Sequence, residues 1–425
     1  MNKYFGKSIC ISMVTLLASH SVAESDIYSS QKGDISDLGD TLQIAIPVAA
    51  LAGSWWIDDD EGLKMYAKAM VTNGLIVHSL KLGMGKLRPD ASTHNSFPSG
   101  HTAAAFGGAS YIYTRYGSRW GVPAYGAAAF VGGSRIWANR HFMDDVIAGA
   151  SIATLSTLYW VEPHESALTV NPSLGEDSLG VEISFNPNGK LNTSDKNADF
   201  DTRYVLSIGG ASTRHNKLQS EGDAEFDLLD FDRNEEPNTF ASISLEHQLY
   251  NDQQTIFTFT PYEARDTATL SESISFGGET YTSGEDVISA YKVWSMSAEW
   301  KYMWLTDTAW VINTGASVVA QYISADIDLA DGGRQGSETD WRFYPLLTAD
   351  VGYYFTPKLS FTAQVLGISL DTDDHLEYYG ILGYRFNERW DSSVNYGSYQ
   401  HESTSSNLNN DLEYDVVSVS VGYSF

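Results

Sequence analysis

Residues 294–304, Trp-Ser-Met-Ser-Ala-Glu-Trp-Lys-Tyr-Met-Trp, alternate between apolar and mostly polar side chains. In a β-strand, a period of two places one set of side chains on each face of the sheet. The same alternation recurs at 376–386 and in the final stretch, 417–425. We therefore expect antiparallel β-strands throughout the part of the chain that follows Pro163.

Strand length and loop pattern favour a transmembrane barrel over a water-soluble sandwich, which would show the same alternation. Several strands reach the ~9–11 residues that cross a bilayer at a tilt, and aromatic residues recur near strand ends, as in interfacial girdles. Short turns also alternate with long acidic connections, as periplasmic turns and outer loops do in bacterial barrels. The short turns are 305–308, 356–358 and 387–388, and the long connections are 214–236, 328–340 and 402–411.

The strand count predicts a barrel of about 10–12 strands over residues 179–425, preceded by a linker at 166–178. About ten strands are clear, and a weaker pair lies near 167–186. The count must be even if both ends of the barrel face the periplasm. The final strand, with Tyr423 two residues before Phe425, resembles the assembly signal of bacterial outer-membrane proteins. The assembly machinery of that membrane is therefore an expected partner.

The N-terminal region has a different pattern, which predicts an export signal followed by an all-α domain. Lys3 and Lys7 precede a short apolar run and the small residues before Glu24, so residues 1–23 are interpreted as a signal peptide. The apolar uncharged runs 41–57, 120–134 and 146–161 are rich in Ala, Gly, Ser and Thr, and none of these three exceeds 17 residues. Because a spanning helix needs ~20 apolar residues, we expect a compact bundle of buried helices over 24–165. The alternative is that these helices span the inner membrane.

Charge and cysteine content exclude several classes of function. The net charge is −28, of which residues 1–165 carry −2 and residues 166–425 carry −26. A nucleic-acid-binding protein needs a basic face against the phosphates, so no nucleic-acid partner is expected. Cys10 is the one cysteine among the 425 residues, which excludes an intramolecular disulfide and a thiolate metal site.

Three short segments of the helical region concentrate cationic and imidazole side chains. They read Lys81-Leu-Gly-Met-Gly-Lys-Leu-Arg88-Pro89, Phe97-Pro-Ser-Gly-His-Thr102 and Ser134-Arg-Ile-Trp-Ala-Asn-Arg-His-Phe-Met-Asp-Asp145. Lys81, Arg88 and Arg135 are suited to surround a phosphate, through bidentate guanidinium donation and a compact ammonium charge. Ser99 and Gly100 precede an Ala-rich helical stretch, whose first N–H groups would face an anion.

Two histidines and one carboxylate in these segments are suited to nucleophilic and acid–base chemistry. His141 and Asp145 are four residues apart, which predicts that they share one face of a helix. A carboxylate bound to one ring nitrogen fixes the tautomer and leaves the other nitrogen free to attack. His101 is then available as a general acid for the leaving oxygen. Asp144 is a second carboxylate that would reach the same face, three residues from His141.

In this order and spacing, the three segments resemble the signature motifs of the type 2 phosphatidic acid phosphatase (PAP2) superfamily. The motifs are Lys-x6-Arg-Pro, Pro-Ser-Gly-His and Ser-Arg-x5-His-x3-Asp, and all three are complete within roughly 40–162. The superfamily includes bacterial class A acid phosphatases, lipid phosphate phosphatases and vanadium haloperoxidases. The resemblance implies a helical bundle with phosphatase activity that uses no metal and no cofactor. His78 and His94 match no motif position and are interpreted as structural or solvated.

The resemblance also implies a role for each motif residue. The residues implied to bind the phosphoryl oxygens are Lys81, Arg88, Ser99, Gly100 and Arg135. His141 would be the nucleophile that forms a phosphohistidine, and His101 would protonate the leaving group. Asp145 would orient and polarise His141, and the family spacing favours it over Asp144.

Together, these expectations describe an all-α helical bundle followed by an antiparallel transmembrane β-barrel in the bacterial outer membrane. The catalytic domain would lie in the periplasm, beside outer-membrane lipid. The substrate would be a phosphomonoester or a pyrophosphate on a lipid or a small molecule. Two alternatives stay open: a vanadate-dependent haloperoxidase, since the same cage holds vanadate, and a pore or adhesin with a vestigial helical domain.

Overall fold

The computed structural model describes most of the chain from residue 33 onward. The described ranges are 33–164, 168–175, 178–185, 202–231, 237–305 and 308–425. The chain divides into two compact units, Met1–Ala198 and Asp199–Phe425. The expected signal peptide, residues 1–23, lies outside the described residues.

Five helices form the main part of the first unit, as the sequence predicts for this half of the chain. They are α1 (Gly33–Trp56), α2 (Asp60–Met84), α3 (Gly100–Tyr116), α4 (Ser118–Trp137) and α5 (Met143–Trp160). The connections 85–99 and 138–142 contain motif residues. The three motif segments therefore meet the helices at their ends.

The helix ends follow local capping signals. The Asp59 carboxylate accepts the Gly62 N–H at 2.9 Å at the start of α2. Gly85 ends that helix with a φ of 58°, in the left-handed region that favours glycine. The Ser99 hydroxyl accepts the Thr102 N–H at 3.4 Å at the start of α3. Two of the motif segments are thus positioned by caps that the sequence itself provides.

Small residues let the helices approach each other closely. A Cβ atom at Gly108 of α3 would lie 2.9 Å from the backbone nitrogen of Pro47 in α1. The core around this contact consists of the buried residues Ile46, Ala105, Ala109, Ala128 and Val131. The Ala- and Gly-rich runs therefore give close helix packing, because short side chains bring the backbones together.

Helix α1 departs from the expectation that all helices are buried. Its residues Ile35–Trp56 are long and apolar enough to cross a membrane by length and composition, and 28% of the most apolar window is buried. It is the one such helix among the described residues. The uncharged run that begins at residue 41 is shorter than this helix. The helix begins at Gly33 and includes the charged residues Asp37 and Asp40.

A buried polar network joins α2, α3 and the end of α5. Arg115 donates from Nη2 and Nε to the two carboxylate oxygens of Asp59, at 2.7 and 2.8 Å. It also donates from Nη1 to the Glu162 carbonyl at 2.9 Å, and the Tyr116 hydroxyl donates to Asp59 at 2.9 Å. Burial opposes ionisation of Asp59, but the hydrogen bonds from Arg115, Gly62 and Tyr116 outweigh it and lower its pKa to about 2.

The weaker strand pair expected near 167–186 forms a sheet of its own. Strands β1 (Leu168–Gly175) and β2 (Ser178–Phe185) pair antiparallel with each other and belong to the first unit. Each strand has 8 residues, fewer than the ~9–11 that cross a bilayer. The expected linker at 166–178 and the expected barrel start at 179 both fall on this hairpin.

Ten long strands of the second unit form a closed antiparallel sheet, which confirms the predicted barrel and selects the lower strand count. They are β3 (Thr202–Ser220), β5 (Asn238–Tyr250), β6 (Gln253–Thr269), β9 (Asp286–Met303), β10 (Trp310–Leu329), β11 (Gln335–Tyr354), β12 (Leu359–Ser369), β13 (Asp373–Arg385), β14 (Trp390–Ser403) and β15 (Leu408–Ser424). The short strands β4 (Phe226–Asp227), β7 (Ile274–Phe276) and β8 (Glu279–Tyr281) lie in the longer connections. Strand β15 pairs with β3 along its whole length, so the sheet closes on itself.

The surface of the barrel is apolar, with aromatic side chains beside the short turns. The exposed aromatic residues next to these turns and at the end of β15 are Tyr250, Trp304, Trp310, Phe355, Phe386 and Phe425. In the interior, the ring of Tyr414 stacks against Tyr399 at 4.7 Å and against Tyr262 at 5.0 Å. An apolar outer face with an aromatic girdle is typical of barrels in the outer membrane.

Replacing Asp59 with Asn is expected to destabilise the helical domain by ~3 kcal/mol, because it leaves the buried guanidinium of Arg115 without its counter-charge. Thermal unfolding of the full chain, followed by circular dichroism of the helices, measures the loss. The wild-type domain should lose the stabilisation from the Asp59–Arg115 pair as the pH falls and Asp59 is protonated. A carboxylate with a lowered folded pKa stabilises above its ordinary value of 3.8, and the stabilisation disappears toward pH 2.

The matched control for this prediction is Asp60→Asn, which removes an exposed carboxylate from the same first turn of α2. Its effect on the free energy of unfolding should stay below ~1 kcal/mol, the scale of a charge at a helix start. Equal losses in the two variants would contradict a special role of the Asp59–Arg115 pair.

Candidate active site

All eight predicted site residues lie at helix ends or in the connections between helices. They are Lys81 in the last turn of α2, Arg88 in the connection 85–99, Ser99 at the cap of α3, Gly100 and His101 in the first turn of α3, Arg135 in the last turn of α4, His141 in the connection 138–142, and Asp145 in the first turn of α5. Residues from four of the five helices thus contribute to the candidate site.

His141 and Asp145 form a buried imidazole–carboxylate pair. The Nδ1 atom of His141 lies 3.4 Å from Oδ2 of Asp145, and both side chains are almost completely buried. The same carboxylate oxygen accepts hydrogen bonds from the Ser96 hydroxyl at 2.5 Å and from the Phe142 N–H at 2.8 Å. The carboxylate is therefore fixed from three sides, and Nε2 is the ring nitrogen of His141 that does not face it.

This pair does not lie on one face of a helix, so the prediction from its spacing is wrong. His141 precedes α5, and the Asp145 side chain in the first turn reaches back to the N–H of Phe142 at the cap. A carboxylate in this position satisfies one of the N–H groups that a helix start leaves unpaired. Asp144, the second carboxylate considered, accepts hydrogen bonds from Lys86 at 2.6 and 2.7 Å instead.

Burial and neighbouring charges set the protonation states of the pair. Burial lowers the pKa of His141 to about 4, although Asp145 opposes the shift. The charges of Lys81 and Arg88 contribute to the lowering, which places both cations near the imidazole. Burial opposes ionisation of Asp145, but Lys86 and His141 outweigh it and hold the pKa below its usual range. At neutral pH a neutral imidazole therefore faces an ionised carboxylate.

Asn95 positions the two cations of the first motif. The Lys81 ammonium donates to the backbone carbonyl of Asn95, and Arg88 Nε donates to its side-chain oxygen at 2.9 Å. The Thr93 hydroxyl donates to the same side-chain oxygen at 2.7 Å. One residue of the connection 85–99 thus holds an ammonium and a guanidinium side by side.

The start of α3 is packed tightly between the other elements of the site. The Ser99 N–H donates to the Asp145 carbonyl at 2.9 Å. A Cβ atom at Gly149 of α5 would lie 2.5 Å from the Ser99 carbonyl oxygen, and one at Gly100 would lie 3.8 Å from Cε of Lys81. The helix start that is predicted to bind an anion therefore lies beside both the lysine and the Asp145 segment.

Arg135 and His101 share a carboxylate partner that the sequence analysis did not identify. Arg135 Nη1 donates to Oδ1 of Asp40 at 2.5 Å, and Nε2 of His101 lies 3.3 Å from the same oxygen. Arg135 also donates from Nη2 to the Ser36 carbonyl at 2.8 Å. A Cβ atom at Gly39 would lie 2.7 Å from Nη2 of Arg135, so glycine is required for this approach of α1.

The motif cations are close enough to influence the same groups. Burial lowers the pKa of His101, Asp40 raises it, and the charges of Arg135 and Arg88 lower it further. Burial also lowers the pKa of Arg135, with Arg140 and Arg88 adding to the effect. Since Arg88 acts on both histidines, the three motif segments converge on one region of positive charge.

The structure adds four residues to those predicted: Asp40, Lys86, Asn95 and Ser96. Lys86 lies within the first motif segment, but the motif Lys-x6-Arg-Pro does not specify its position. Asn95 and Ser96 directly precede the second segment, and Asp40 is a single carboxylate before an apolar run. His78 and His94 are exposed. Within the described residues, no group of three His, Cys, Asp or Glu side chains is arranged to hold a metal ion.

Comparison with known families assigns the central part of the helical unit. Residues 62–165 match the PAP2 superfamily. These residues form a PAP2 superfamily domain. The match includes all eight predicted site residues, whereas helix α1 and Asp40 lie outside it.

Two relatives match parts of this chain. A lipid A 1-phosphatase from Porphyromonas gingivalis (strain ATCC 33277) is 43% identical over 100 residues, which are 22% of this chain and 22% of the relative. A lipid A 4'-phosphatase from Helicobacter pylori (strain J99) is 29% identical over 132 residues, 28% of this chain and 65% of the relative. The chain therefore spans about a fifth of the first relative and just under two thirds of the second.

The second unit resembles outer-membrane barrels in its closed ten-stranded architecture. The crystal structure of the outer-membrane protease OmpT from Escherichia coli covers 53% of this chain and 97% of OmpT, with 8% identity and a TM-score of 0.35.

The protonation state of His141 is directly measurable. We expect its imidazole to titrate near pH 4 rather than at the ordinary value of 6.5, because burial disfavours the charged ring. Nitrogen-15 NMR of the histidine side chains in the full chain measures this, and the signal is assigned by its loss in His141→Gln.

Asp145→Asn should lower the His141 pKa further, since the carboxylate is the group that favours the imidazolium. Asp144→Asn is the matched control, because it removes the neighbouring carboxylate that is bonded to Lys86, and it should shift the titration less. A midpoint near 6.5 in the wild-type protein would contradict the buried position of the ring.

Proposed function

We propose that the helical domain is a metal-independent phosphatase that works through a phosphohistidine on His141. The observation that carries this proposal is the buried, neutral imidazole whose Nδ1 contacts the Asp145 carboxylate, beside Lys81 and Arg88. A neutral imidazole with a fixed tautomer is a nucleophile, and an adjacent group of cations stabilises the charge of a phosphoryl group in transfer. The membership of residues 62–165 in the PAP2 superfamily supports the same chemistry.

In the first step, Nε2 of His141 attacks the phosphorus of a phosphomonoester or pyrophosphate. A nitrogen–phosphorus bond forms as the bond to the leaving oxygen breaks, and His101 gives that oxygen a proton. Asp145 stabilises the positive charge that develops on the His141 ring. Lys81, Arg88 and Arg135 bind the phosphoryl oxygens, assisted by Ser99 and the Gly100 N–H, which begins α3.

In the second step, water hydrolyses the phosphohistidine. Neutral His101 now takes a proton from the attacking water, so the residue acts first as an acid and then as a base. The nitrogen–phosphorus bond breaks, inorganic phosphate leaves, and His141 returns to its neutral form. No step in this sequence requires an electron donor, a nucleotide or a metal.

We propose a phosphorylated lipid as the substrate. Both relatives are named as lipid A phosphatases, and exposed apolar side chains flank the site residues in sequence. These side chains are Ile35 and Leu38 beside Ser36 and Asp40, Leu82 beside Lys81, Leu87 beside Arg88, and Trp137 beside Arg135. Apolar side chains around a phosphate site suit a lipid headgroup, because the adjoining acyl region can contact them.

We further propose that the barrel anchors the protein in the outer membrane, with the catalytic domain in the periplasm. The even strand count places both ends of the closed sheet at the end of the short turns, which face the periplasm in bacterial barrels. This arrangement supports entry of the chain into the barrel at Thr202 from the periplasm. Tyr423 in the last strand and Phe425 directly after it support insertion by the outer-membrane assembly machinery.

Phosphate release by the full-length protein tests the assigned chemistry. His141→Ala should lower kcat/KM for p-nitrophenyl phosphate and for phosphatidic acid by at least ~1,000-fold, the scale seen when a nucleophile is removed. EDTA should leave wild-type activity unchanged. A burst of radioactive phosphate bound to the protein, stable to base and labile to acid, should be seen in wild-type protein and be missing in the variant.

His78→Ala is the control, since it removes an exposed histidine outside the three motifs, and its activity should stay within ~2-fold of wild type. Substantial phosphatase activity in His141→Ala would exclude His141 as the nucleophile.

Leu82→Gln tests the lipid as substrate. Leu82 is 75% exposed beside Lys81, and a polar side chain there should lower kcat/KM several-fold for phosphatidic acid in mixed micelles while sparing soluble p-nitrophenyl phosphate. Leu75→Gln is the matched control, because Leu75 lies on the same helix, is 65% exposed and does not flank a motif residue. Equal effects of Leu82→Gln on both substrates would contradict lipid contact at this position.

A further inference from the structure

Asp40 lies between two residues of the proposed site although it belongs to no motif. Its Oδ1 atom accepts a hydrogen bond from Arg135 and lies 3.3 Å from Nε2 of His101. It is located on α1, before the segment that matches the PAP2 superfamily. A single carboxylate oxygen thus contacts the guanidinium and the imidazole together.

The N-terminal half of α1 is built to bring this carboxylate to the site. Gly39 lets the helix approach so closely that a Cβ atom would lie 2.1 Å from the Ser134 hydroxyl. The Ser36 carbonyl accepts a second hydrogen bond from the Arg135 guanidinium at 2.8 Å. Two residues within one turn and a half of α1, Ser36 and Asp40, therefore accept hydrogen bonds from Arg135, whose side chain is 4% exposed.

We propose that Asp40 is a positioning residue for the proposed phosphatase, which keeps a proton on His101 for the leaving group and orients Arg135 toward the phosphate. This inference rests on the proposed function and deepens it. Asp40 acts through its two neighbours and does not itself contact the reacting atoms.

The surroundings of His101 explain why such a carboxylate is needed. The charged groups that face this imidazole are Asp40 from α1, Arg88 from the connection 85–99 and Arg135 from α4. Burial and both guanidinium charges lower the pKa of His101, and Asp40 is the group that raises it. Without Asp40, His101 would face positive charge only and would hold its proton poorly.

In the first step, Asp40 would stabilise the protonated form of His101 that supplies the leaving oxygen with its proton. The His101 imidazolium donates its Nε2 proton to Asp40 in a hydrogen bond, and the proton on the other ring nitrogen passes to the leaving oxygen. The leaving group departs as a neutral alcohol, and His101 becomes a neutral imidazole. In the second step, the ring nitrogen of His101 that does not face Asp40 takes a proton from water, which restores the imidazolium. His101 and Asp40 therefore gain and lose no proton over one turnover.

If Asp40 instead competes with the substrate for Arg135, the kinetic constants of the Asp40→Asn variant will differ from those expected for a positioning residue. A carboxylate bound to Arg135 also resembles a phosphate oxygen, so Asp40 would compete with substrate if it had to leave the guanidinium before the phosphate enters. In that case the removal of its charge would lower KM and would not depend on the leaving group.

The experiment compares Asp40→Asn with wild type in the full-length protein, using soluble monoesters with good and poor leaving groups. An alkyl phosphate needs a proton at its leaving oxygen, whereas p-nitrophenolate leaves without one. We expect kcat/KM to fall at least ~30-fold for the alkyl phosphate and less than ~5-fold for p-nitrophenyl phosphate. The basic limb of the kcat/KM–pH profile for the alkyl ester should also move to lower pH, because His101 loses its proton more easily.

Two further variants keep the outcome interpretable. Asp40→Glu retains the carboxylate and should restore the basic limb toward wild type, also if Asp40→Asn folds poorly. Asp37→Asn removes an exposed carboxylate one turn earlier on α1, and it should leave both substrates within ~2-fold of wild type.

Equal losses for the two leaving groups, an unchanged pH profile or a lowered KM in Asp40→Asn would each overturn the proposal. Failure of this inference is distinguishable from failure of the proposed function. If His141→Ala is inactive and phosphohistidine forms in Asp40→Asn with wild-type leaving-group dependence, only the role of Asp40 is wrong. If His141→Ala retains activity, the phosphatase mechanism is wrong.

Discussion

Asp145 joins all three motif segments, because this single buried residue contacts Lys86 of the first, Ser99 of the second and His141 of the third. Its carboxylate accepts from Ser96 and from the Phe142 N–H and contacts His141. Its backbone carbonyl accepts the Ser99 N–H at 2.9 Å. A buried carboxylate is costly unless donors surround it, which accounts for the number of donors around this one. The positions of the imidazole and of the start of α3 both depend on this arrangement.

The charges in this region explain why it should attract an anion. Lys86 lies 3.2 Å from Asp145, and Arg135 is paired with Asp40. Lys81 and Arg88, by contrast, donate to the neutral backbone and amide oxygens of Asn95. These hydrogen bonds hold both cations in place, and guanidinium and ammonium groups are suited to bind phosphoryl oxygens.

The sequence predicts the fold well where a local pattern determines the structure. Strict alternation, as in 294–304, predicts strands because the pleat itself has a period of two. The barrel of 10–12 strands expected from this pattern is a closed sheet of ten long strands. The strands β1 and β2 are also expected from the sequence, but they pair only with each other. Each has 8 residues, fewer than the ~9–11 that cross a bilayer. The extent of α1 was underestimated for a similar reason, since charges at Asp37 and Asp40 interrupt the apolar run without ending the helix.

The candidate site is predictable to the extent that its residues form short motifs. Spacing identified His141 and Asp145 as partners but not their geometry, because four residues also fit a helix start whose cap is satisfied by the carboxylate. Asn95 contacts Lys81, 14 positions away in the sequence, and Ser96 contacts Asp145, 49 positions away, and no local pattern encodes such pairs. Asp40 is the clearest case, since it is separated from Arg135 by 95 positions.

The location of Asp40 also bears on where the catalytic unit begins. A chimaera or shortened chain cut at the edge of the family match, residue 62, would inherit every motif residue and leave α1 behind. Such a molecule would carry His141 and the motif cations, but it would expose the face of Arg135 that α1 covers. The segment recognised by similarity is thus smaller than the piece of polypeptide that buries Arg135, and the proposed chemistry would depend on the larger piece.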